Sequence, residues 1–115
     1  MEVRAQLRNL PIGARKGRLV ADLVRSKPCD QALSLLRACP RGAARPIAKL
    51  IQSALANAQI MNERESAGLD LDNLVVKTIC VDQATHSWRV RPRAMGRSYW
   101  IRKASSHVTV VLAEA

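Results

Sequence analysis

Residues 83–105 restrict the fold of this chain more than any other segment, because they are too polar to join a core. The segment contains Pro92 and Gly96, few aliphatic residues and no acidic residue. Its basic residues are Arg89, Arg91, Arg93, Arg97, Arg102 and Lys103. A structureless loop of this length is uncommon inside a compact domain. We therefore predict that the flanking strands continue past the domain as a long β-hairpin over about residues 82–104, projecting on the order of 40 Å.

A hairpin of this composition needs a partner that neutralises its charge. Arg89, Arg91 and Arg93 alternate, so in an extended strand all three side chains face the same way. A two-stranded ribbon is only marginally stable by itself in water, and the like charges repel one another. All the aromatic side chains of the chain also lie in this segment, where they can stack on unpaired bases. The segment therefore indicates a nucleic acid as the partner.

The remaining apolar patterns predict an α+β fold in a single domain over residues 1–115. Three helices are expected to pack on a small antiparallel sheet, from which the long β-hairpin protrudes. Alternating residues predict strands over 3–10, 74–81 and 106–112. Helical spacing predicts helices over about 14–27, 30–37 and 46–61, and the polar segment 62–73 is predicted to be a loop.

Two of these patterns also predict how side chains are distributed over the faces of an element. In the first helix, the apolar residues at helical spacing are Leu19, Val20, Leu23 and Val24. In the second strand, simple alternation places Val75, Ile79 and Val81 on one face with Lys77, and Leu74, Val76, Thr78 and Cys80 on the other.

The charge of the chain indicates a polyanionic partner. Lys and Arg number 19 against 9 Asp and Glu, which gives a net charge of +10 at pH 7. Arginine outnumbers lysine, and its planar guanidinium binds phosphate through two hydrogen bonds and stacks on bases. A second group of candidate RNA-binding residues lies on or beside the first helix: Arg15, Lys16, Arg18, Arg25 and Lys27. Binding through so many cations is expected to weaken steeply as salt rises.

No enzymatic chemistry is indicated. His86 and His107 are the only histidines, and His107, in an alternating strand, is expected to be a structural or RNA-facing residue rather than a general base. Asp70 and Asp72 precede a strand in a polar loop and are expected to be solvated turn residues. The sequence has no phosphate-binding glycine loop and no metal-ligand spacing. We therefore expect no catalytic site, no metal and no cofactor.

The cysteines and the hydropathy of the chain point to a reducing compartment without a membrane anchor. Cys29, Cys39 and Cys80 are odd in number and match no zinc pattern, so we expect them to be small buried residues. No apolar run approaches the roughly 20 residues of a membrane span. The N-terminus also lacks the apolar core of a signal peptide.

Three classes of function are compatible with a chain this basic. One is binding of ribosomal RNA, and another is a free nucleic-acid-binding regulatory protein that places the basic first helix in a DNA groove. The third is a cationic membrane-active protein. A free regulator gains little from an unstable arm, and no Trp- or Leu-rich cationic amphipathic helix is present in the sequence. Binding of structured RNA is therefore the leading interpretation of the residues themselves.

Several segments, in the family's own order, resemble the large-subunit ribosomal protein twenty-two family of the bacterial type. They are RKGRLVADLVR at residues 15–25, SALANA at 53–58, RPRAMGR at 91–97 after Val81-Asp82, and SSHVTVV at 105–111. Together they span nearly the whole chain. The chain departs from the family pattern after Asp82, where Gln83-Ala84-Thr85 replaces an acid, glycine and proline, and at Trp88, which replaces a basic residue.

The resemblance implies a structural, non-enzymatic protein of the large ribosomal subunit. Its domain would lie on the outside of the subunit, and its hairpin would pass through large-subunit ribosomal RNA to the wall of the nascent-peptide exit tunnel. The implied partners are this RNA, neighbouring ribosomal proteins near the tunnel and the nascent peptide, with no membrane. The implied location is a ribosome in the cytoplasm or, alternatively, in an organelle.

The resemblance also implies which residues lie at the hairpin tip, next to the tunnel. They are Ser87, Trp88, Arg89, Val90 and Arg91. Trp88 lies about midway between the two reliable strands of the sequence, which also predicts a position near the turn of the hairpin. Its indole is expected to stack on a base or a guanidinium, with packing across from Pro92 on its own hairpin as the alternative.

Overall fold

The computed structural model describes residues 2–66 and 68–115, and it has the predicted α+β architecture. The strands are β1 (Glu2–Leu10), β2 (Leu74–Gln83), β3 (Ser87–Pro92), β4 (Ser98–Lys103) and β5 (Ser106–Glu114). The helices are α1 (Ala14–Val24), α2 (Cys29–Ala38) and α3 (Ala44–Glu65), with short 3-10 helices at Leu71–Asn73 and Ala94–Gly96. An antiparallel sheet in the order β1-β5-β2 packs on the helices, and β3 pairs with β4 as a separate hairpin.

The core lies between one face of the three-stranded sheet and the three helices. The sheet contributes Val3, Ala5, Leu74, Val76, Ile79, Val81, Val108, Val110 and Leu112. Helix α3 contributes Ile47, Leu50, Ile51, Ala54 and Ala58, which are all buried and recur at helical spacing. Cys29 is also buried, but Cys80 is exposed, so the expectation of buried cysteines is wrong for Cys80.

The buried face of α1 differs from the predicted one. Val20 and Val24 are buried, but Leu19 and Leu23 remain 48% and 46% exposed. The helix instead turns Gly17 and Ala21 towards the sheet. A Cβ at Gly17 would lie 3.1 Å from a methyl group of Val81, a tighter contact than most Cβ atoms make, so the missing side chain of Gly17 favours this close approach. The small residues set the rotation of the helix, and the two leucines point away.

A β-bulge in β2 changes which residues of that strand are buried. Val76 pairs with Leu112 and Thr78 pairs with the adjacent Val111, so Lys77 is an extra residue in β2. A bulge of this kind exchanges the two faces of the strand beyond it. Leu74 and Val76 are therefore buried before the bulge, and Ile79 and Val81 after it. The prediction that Val75, Ile79 and Val81 share one face with Lys77 is wrong for this reason.

The polar segment 62–73, which was predicted to be a loop, is partly helical. The helix continues through Asn62 to Glu65, which corrects the prediction of a loop there, and it ends at Ser66 with φ 48° and ψ 43°. The Asn62 side chain accepts from the Leu69 N–H at 2.9 Å and donates to the Leu69 carbonyl at 2.8 Å. This pair of bonds holds the following turn against the helix. Ala67, also in the predicted loop, lies outside the described residues.

The predicted hairpin is present, and it makes the molecule elongated, with dimensions of 66 × 27 × 16 Å. The Ala84 N–H donates to the Ser105 carbonyl at 3.0 Å, which continues the ladder from the sheet into the hairpin. In the hairpin, Ser87 pairs with Lys103 and Pro92 pairs with Ser98. The turn is closed by the Arg93 N–H, which donates to the Arg97 carbonyl at 2.7 Å.

The turn of the hairpin lies further along the chain than predicted. Gln83 pairs with Ser106, so the midpoint falls between Ala94 and Met95. Met95 and Gly96 adopt φ angles of 60° and 66°, as a tight turn requires. The five residues predicted at the tip, Ser87, Trp88, Arg89, Val90 and Arg91, instead form strand β3. The prediction is wrong because Trp88 lies much nearer to Val81 than to Ser106, so the midpoint between the two predicted strands already falls near residues 93 and 94.

Candidate nucleic-acid interface

The arginines of α1 bind the protein itself. Arg18 Nε donates to the Val81 carbonyl at 3.1 Å, and Arg25 Nη2 donates to the Ile79 carbonyl at 2.9 Å. Arg25 also forms an ion pair with Asp22. These carbonyls belong to β2, an edge strand of the sheet. The two guanidinium groups therefore protect a sheet edge, and only their remaining N–H groups are available to phosphate.

The residues after α1 bind this edge near the start of β2. The Ser26 N–H donates to the Val76 carbonyl, and the Val76 N–H donates to the Lys27 carbonyl, each at 3.0 Å. Lys27 thus adds its backbone to the sheet and leaves its ammonium exposed. The predicted RNA-binding group on α1 therefore has two parts. Arg18 and Arg25 bind the edge of the sheet, whereas the side chains of Arg15, Lys16 and Lys27 do not.

A groove at the base of the hairpin joins Arg15 and Lys16 to the hairpin. It has a volume of about 490 Å³ and lies between the start of α1 and the end of β4, where Arg102 and Lys103 line its other side. Gly13 lies close to Ala104 at the floor, and a Cβ built on this glycine would be 3.6 Å from the Ala104 side chain. The groove therefore unites the two basic groups that the sequence predicts separately.

Three further grooves adjoin the first one. A groove between β1 and α3 has a volume of about 560 Å³, and Arg8, Arg45 and Lys49 line it. The two others, of about 390 and 410 Å³, add Arg37 and Arg41 from the end of α2 and the turn that follows. Neighbouring grooves share residues such as Pro11, Lys16, Arg41 and Arg45, so they form one surface.

We call this surface the basic end. Its basic residues are Arg8, Arg15, Lys16, Arg37, Arg41, Arg45, Lys49, Arg102 and Lys103, and no acidic residue lines any of the four grooves. The sequence does not single out Arg8, Arg37, Arg41, Arg45 and Lys49 as site residues. They come from β1, α2, the turn after α2 and α3, so no local sequence pattern connects them to one another or to the hairpin.

Most of the acidic residues collect at the opposite end of the domain. They are Glu2, Glu63, Glu65, Asp70, Asp72 and Glu114, at the start of β1, the end of α3, the 3-10 helix before β2 and the end of β5. Helix α3 connects the two ends, and its 22 residues span about 30 Å. This separation places the positive end of the domain's charge distribution at the basic end. Glu2 pairs with Lys77, which lowers the pKa of its carboxyl.

Each face of the hairpin carries both cations and apolar groups, because Arg89 and Arg91 share one face with Tyr99, and Arg102 shares the other with Trp88 and Trp100. Arg89 and Arg91 alternate in β3 as predicted, and Arg93 follows in an extended conformation. Trp88 lies opposite Arg102 rather than near Pro92. On the same face, Val90 lies opposite Trp100, and the indoles of Trp88 and Trp100 are 55% and 69% exposed. The hairpin therefore offers both phosphate-binding and base-stacking groups.

His107 has a structural contact on the sheet. Its Nδ1 accepts from the Asn9 N–H at 3.1 Å, where Asn9 adopts a φ of 57° in an irregular part of β1. A neutral imidazole that accepts at Nδ1 carries its proton on Nε2. His107 therefore supports the end of β1 and keeps one N–H for a further acceptor.

The other candidates for chemistry are accounted for by the structure. Asp70 accepts from the Asp72 N–H at 3.1 Å and caps a 3-10 helix, as expected for turn residues. Burial raises the pKa of the Cys29 thiol to about 11. Within residues 2–66 and 68–115, no three His, Cys, Asp or Glu side chains come close enough together to hold a metal ion. The helices in this part of the chain are all too short or too polar to span a membrane.

The sequence of this chain is similar to those of known proteins over almost its full length. The family model for ribosomal protein L22p/L17e matches residues 5–113. A large ribosomal subunit protein uL22 from Myxococcus xanthus is 49% identical over 115 residues, covering 100% of this chain and 98% of the relative. A uL22 protein from Geobacter metallireducens is 47% identical over 114 residues, with 99% of each chain covered. The chain belongs to the ribosomal protein L22p/L17e family.

Proposed function

We propose that this chain is a structural component of the large ribosomal subunit, which binds large-subunit ribosomal RNA through the basic end and the hairpin. The main support is the basic end, where nine Lys and Arg residues line adjoining grooves that contain no acidic residue. The relatives are named as proteins of the large ribosomal subunit, which agrees with this role. The role is structural rather than enzymatic, and it requires no cofactor.

The hairpin extends the RNA-binding surface away from the domain. All residues of β3 are exposed, and only Ile101 of β4 is partly buried, so the hairpin has a solvent-facing surface on both sides. We infer that it passes through the RNA and lines the wall of the nascent-peptide exit tunnel. In that arrangement the turn from Arg93 to Arg97 is the furthest point from the domain, and Ser87–Arg91 line the approach to it.

The same arrangement favours the ribosome over a free DNA-binding regulator. A recognition helix must present one face to the major groove. In this chain α1 packs on β2, and its Arg18 and Arg25 donate to β2 carbonyls. Neighbouring ribosomal proteins and the nascent peptide are the further partners that this assignment implies, on a ribosome of the cytoplasm or of an organelle.

A sedimentation experiment with charge-reversal variants tests the proposed function. The tagged chain is expected to sediment with large ribosomal subunits, and the double variant Arg15→Glu and Arg41→Glu is expected to remain near the top of the gradient. The matched control is Arg64→Glu, because Arg64 lies near the acidic end of α3 and outside the grooves. Loss of sedimentation in the control as well, or wild-type protein free of subunits, would overturn the proposal.

A further inference from the structure

The groove between β1 and α3 differs from the other grooves of the basic end in its floor. Leu10 and Leu50, both less than a tenth exposed, form the floor together with Pro11 and Pro46. The groove is the largest of the four, at about 560 Å³, within the range of small-molecule sites. A phosphate gains nothing from such a floor, because charged groups are poorly solvated on apolar surface. The floor therefore suits a flat, weakly polar group.

The rim of the same groove is strongly cationic. Arg8, Arg45 and Lys49 line it, and no acidic residue does. Helix α3 begins at Ala44 beside the groove, and the positive end of its dipole adds partial positive charge there. An apolar floor under a cationic rim is complementary to a nucleotide, whose base is flat and whose phosphate is anionic.

A peptide strand is a poorer occupant of this groove. An added strand would need the free backbone groups of β1, which is the other edge of the sheet. The Asn57 side chain of α3 already donates to the Arg4 carbonyl at 3.3 Å, and the Asn9 N–H is bound by His107. The rim cations would in addition favour an acidic segment over an ordinary one.

We propose that this groove binds one unpaired nucleotide of the large-subunit RNA. The base lies on the apolar floor, and the adjacent phosphates lie between Arg8, Arg45 and Lys49. Gln6 and Ser53, which also line the groove, provide polar groups for the edges of the base. This inference rests on the proposed function, and it adds a site that holds a single base to a surface otherwise suited to phosphates.

Filling the groove without changing its charge tests the inference. Ser53 is exposed and lines the groove, so Ser53→Trp blocks the floor, and Ser53→Phe is a smaller second variant. Gln52→Trp is the matched control, because Gln52 is an exposed neighbour in α3 that does not line the groove. Thermal unfolding checks that each full-length variant is folded.

The probe is a full-length transcript of large-subunit ribosomal RNA. Ser53→Trp is expected to lower affinity for this transcript about 5- to 150-fold, the range expected when a single base can no longer stack, with the slope of affinity against salt unchanged. Gln52→Trp is expected to bind like the wild type. Base-specific chemical modification is expected to show one unpaired nucleotide that the wild type protects and Ser53→Trp does not.

The outcomes separate this inference from the proposed function. If wild-type protein binds the transcript without salt dependence, the proposed function itself fails. If wild type binds as proposed but Ser53→Trp and Ser53→Phe keep full affinity and the same protected bases, only the groove inference is overturned. The same holds if Arg45→Ala flattens the salt slope while Ser53→Trp has no effect, since the groove would then bind phosphates alone.

Discussion

The domain and the hairpin of this chain are built on different physical principles. The domain buries a continuous cluster of aliphatic side chains between sheet and helices, whereas the strands of the hairpin are exposed throughout except at Ile101. Burial of apolar surface stabilises the first part by itself. The second part has only its cross-strand pairs and a row of like charges. The domain is therefore stabilised by its own core, and we expect the order of the hairpin to depend on its partner.

Amide exchange is expected to show the largest difference between the two parts. Core amides of α3 and β5 are expected to exchange about three orders of magnitude more slowly than those of Thr85–Arg97 in the free protein, because exchange from the core requires global unfolding. Exchange followed by mass spectrometry measures this directly. Addition of the RNA transcript is expected to slow exchange in the hairpin. Strong protection of Thr85–Arg97 without RNA would contradict the comparison.

Truncation of a side chain is expected to lower the free energy of unfolding much more in the domain than in the hairpin. Ile47 is fully buried, so Ile47→Ala is expected to reduce the free energy of unfolding by about 2–5 kcal/mol. Trp100, although larger, is 69% exposed, and Trp100→Ala is expected to change the free energy of unfolding by less than about 0.5 kcal/mol. Urea unfolding curves measure both. Similar losses for the two variants would show that the hairpin is part of the cooperative core.

Removal of the hairpin is expected to separate folding from RNA binding. Replacing residues 86–103 by Asn-Gly retains the Ala84–Ser105 hydrogen bond and supplies residues that favour a tight turn. The shortened chain is expected to unfold cooperatively, as calorimetry can check. Its affinity for RNA should depend less steeply on salt, with the slope reduced by roughly 0.9 for each phosphate that the hairpin no longer neutralises. An unfolded product would mean that the hairpin stabilises the domain.

The smallest expected effect is that of Trp88→Ala. Trp88 lies opposite Arg102 near the hairpin base and is 55% exposed, so its removal can cost one base stack of roughly 1 kcal/mol without affecting the arginines. Assembly into subunits should continue, with RNA affinity reduced about fivefold. Ile60→Ala is the control, because Ile60 is an exposed apolar residue of α3 that lines none of the grooves. If large subunits accumulate without the variant protein, the side chain of Trp88 is instead needed to stabilise the hairpin.

The sequence by itself determined the elements and the kind of partner. The stripe of α3, the alternation of β5 and the acid-free segment after β2 are local patterns, because the period of a helix or strand is a property of a single element. The same locality made the hairpin predictable: residues 83–105 contain too little apolar surface to be buried anywhere.

The tertiary structure alone decided which faces of α1 and β2 are buried and how far the site extends. Lys77 forms a bulge because Val76 and Thr78 pair with adjacent residues of β5, which leaves Lys77 without a partner. The rotation of α1 depends on the close approach of Gly17 to Val81. Arg8 and Arg45 lie far apart in the sequence and meet because β1 ends where α3 begins. Charge can be counted from a sequence, but its concentration on one surface depends on distances between elements.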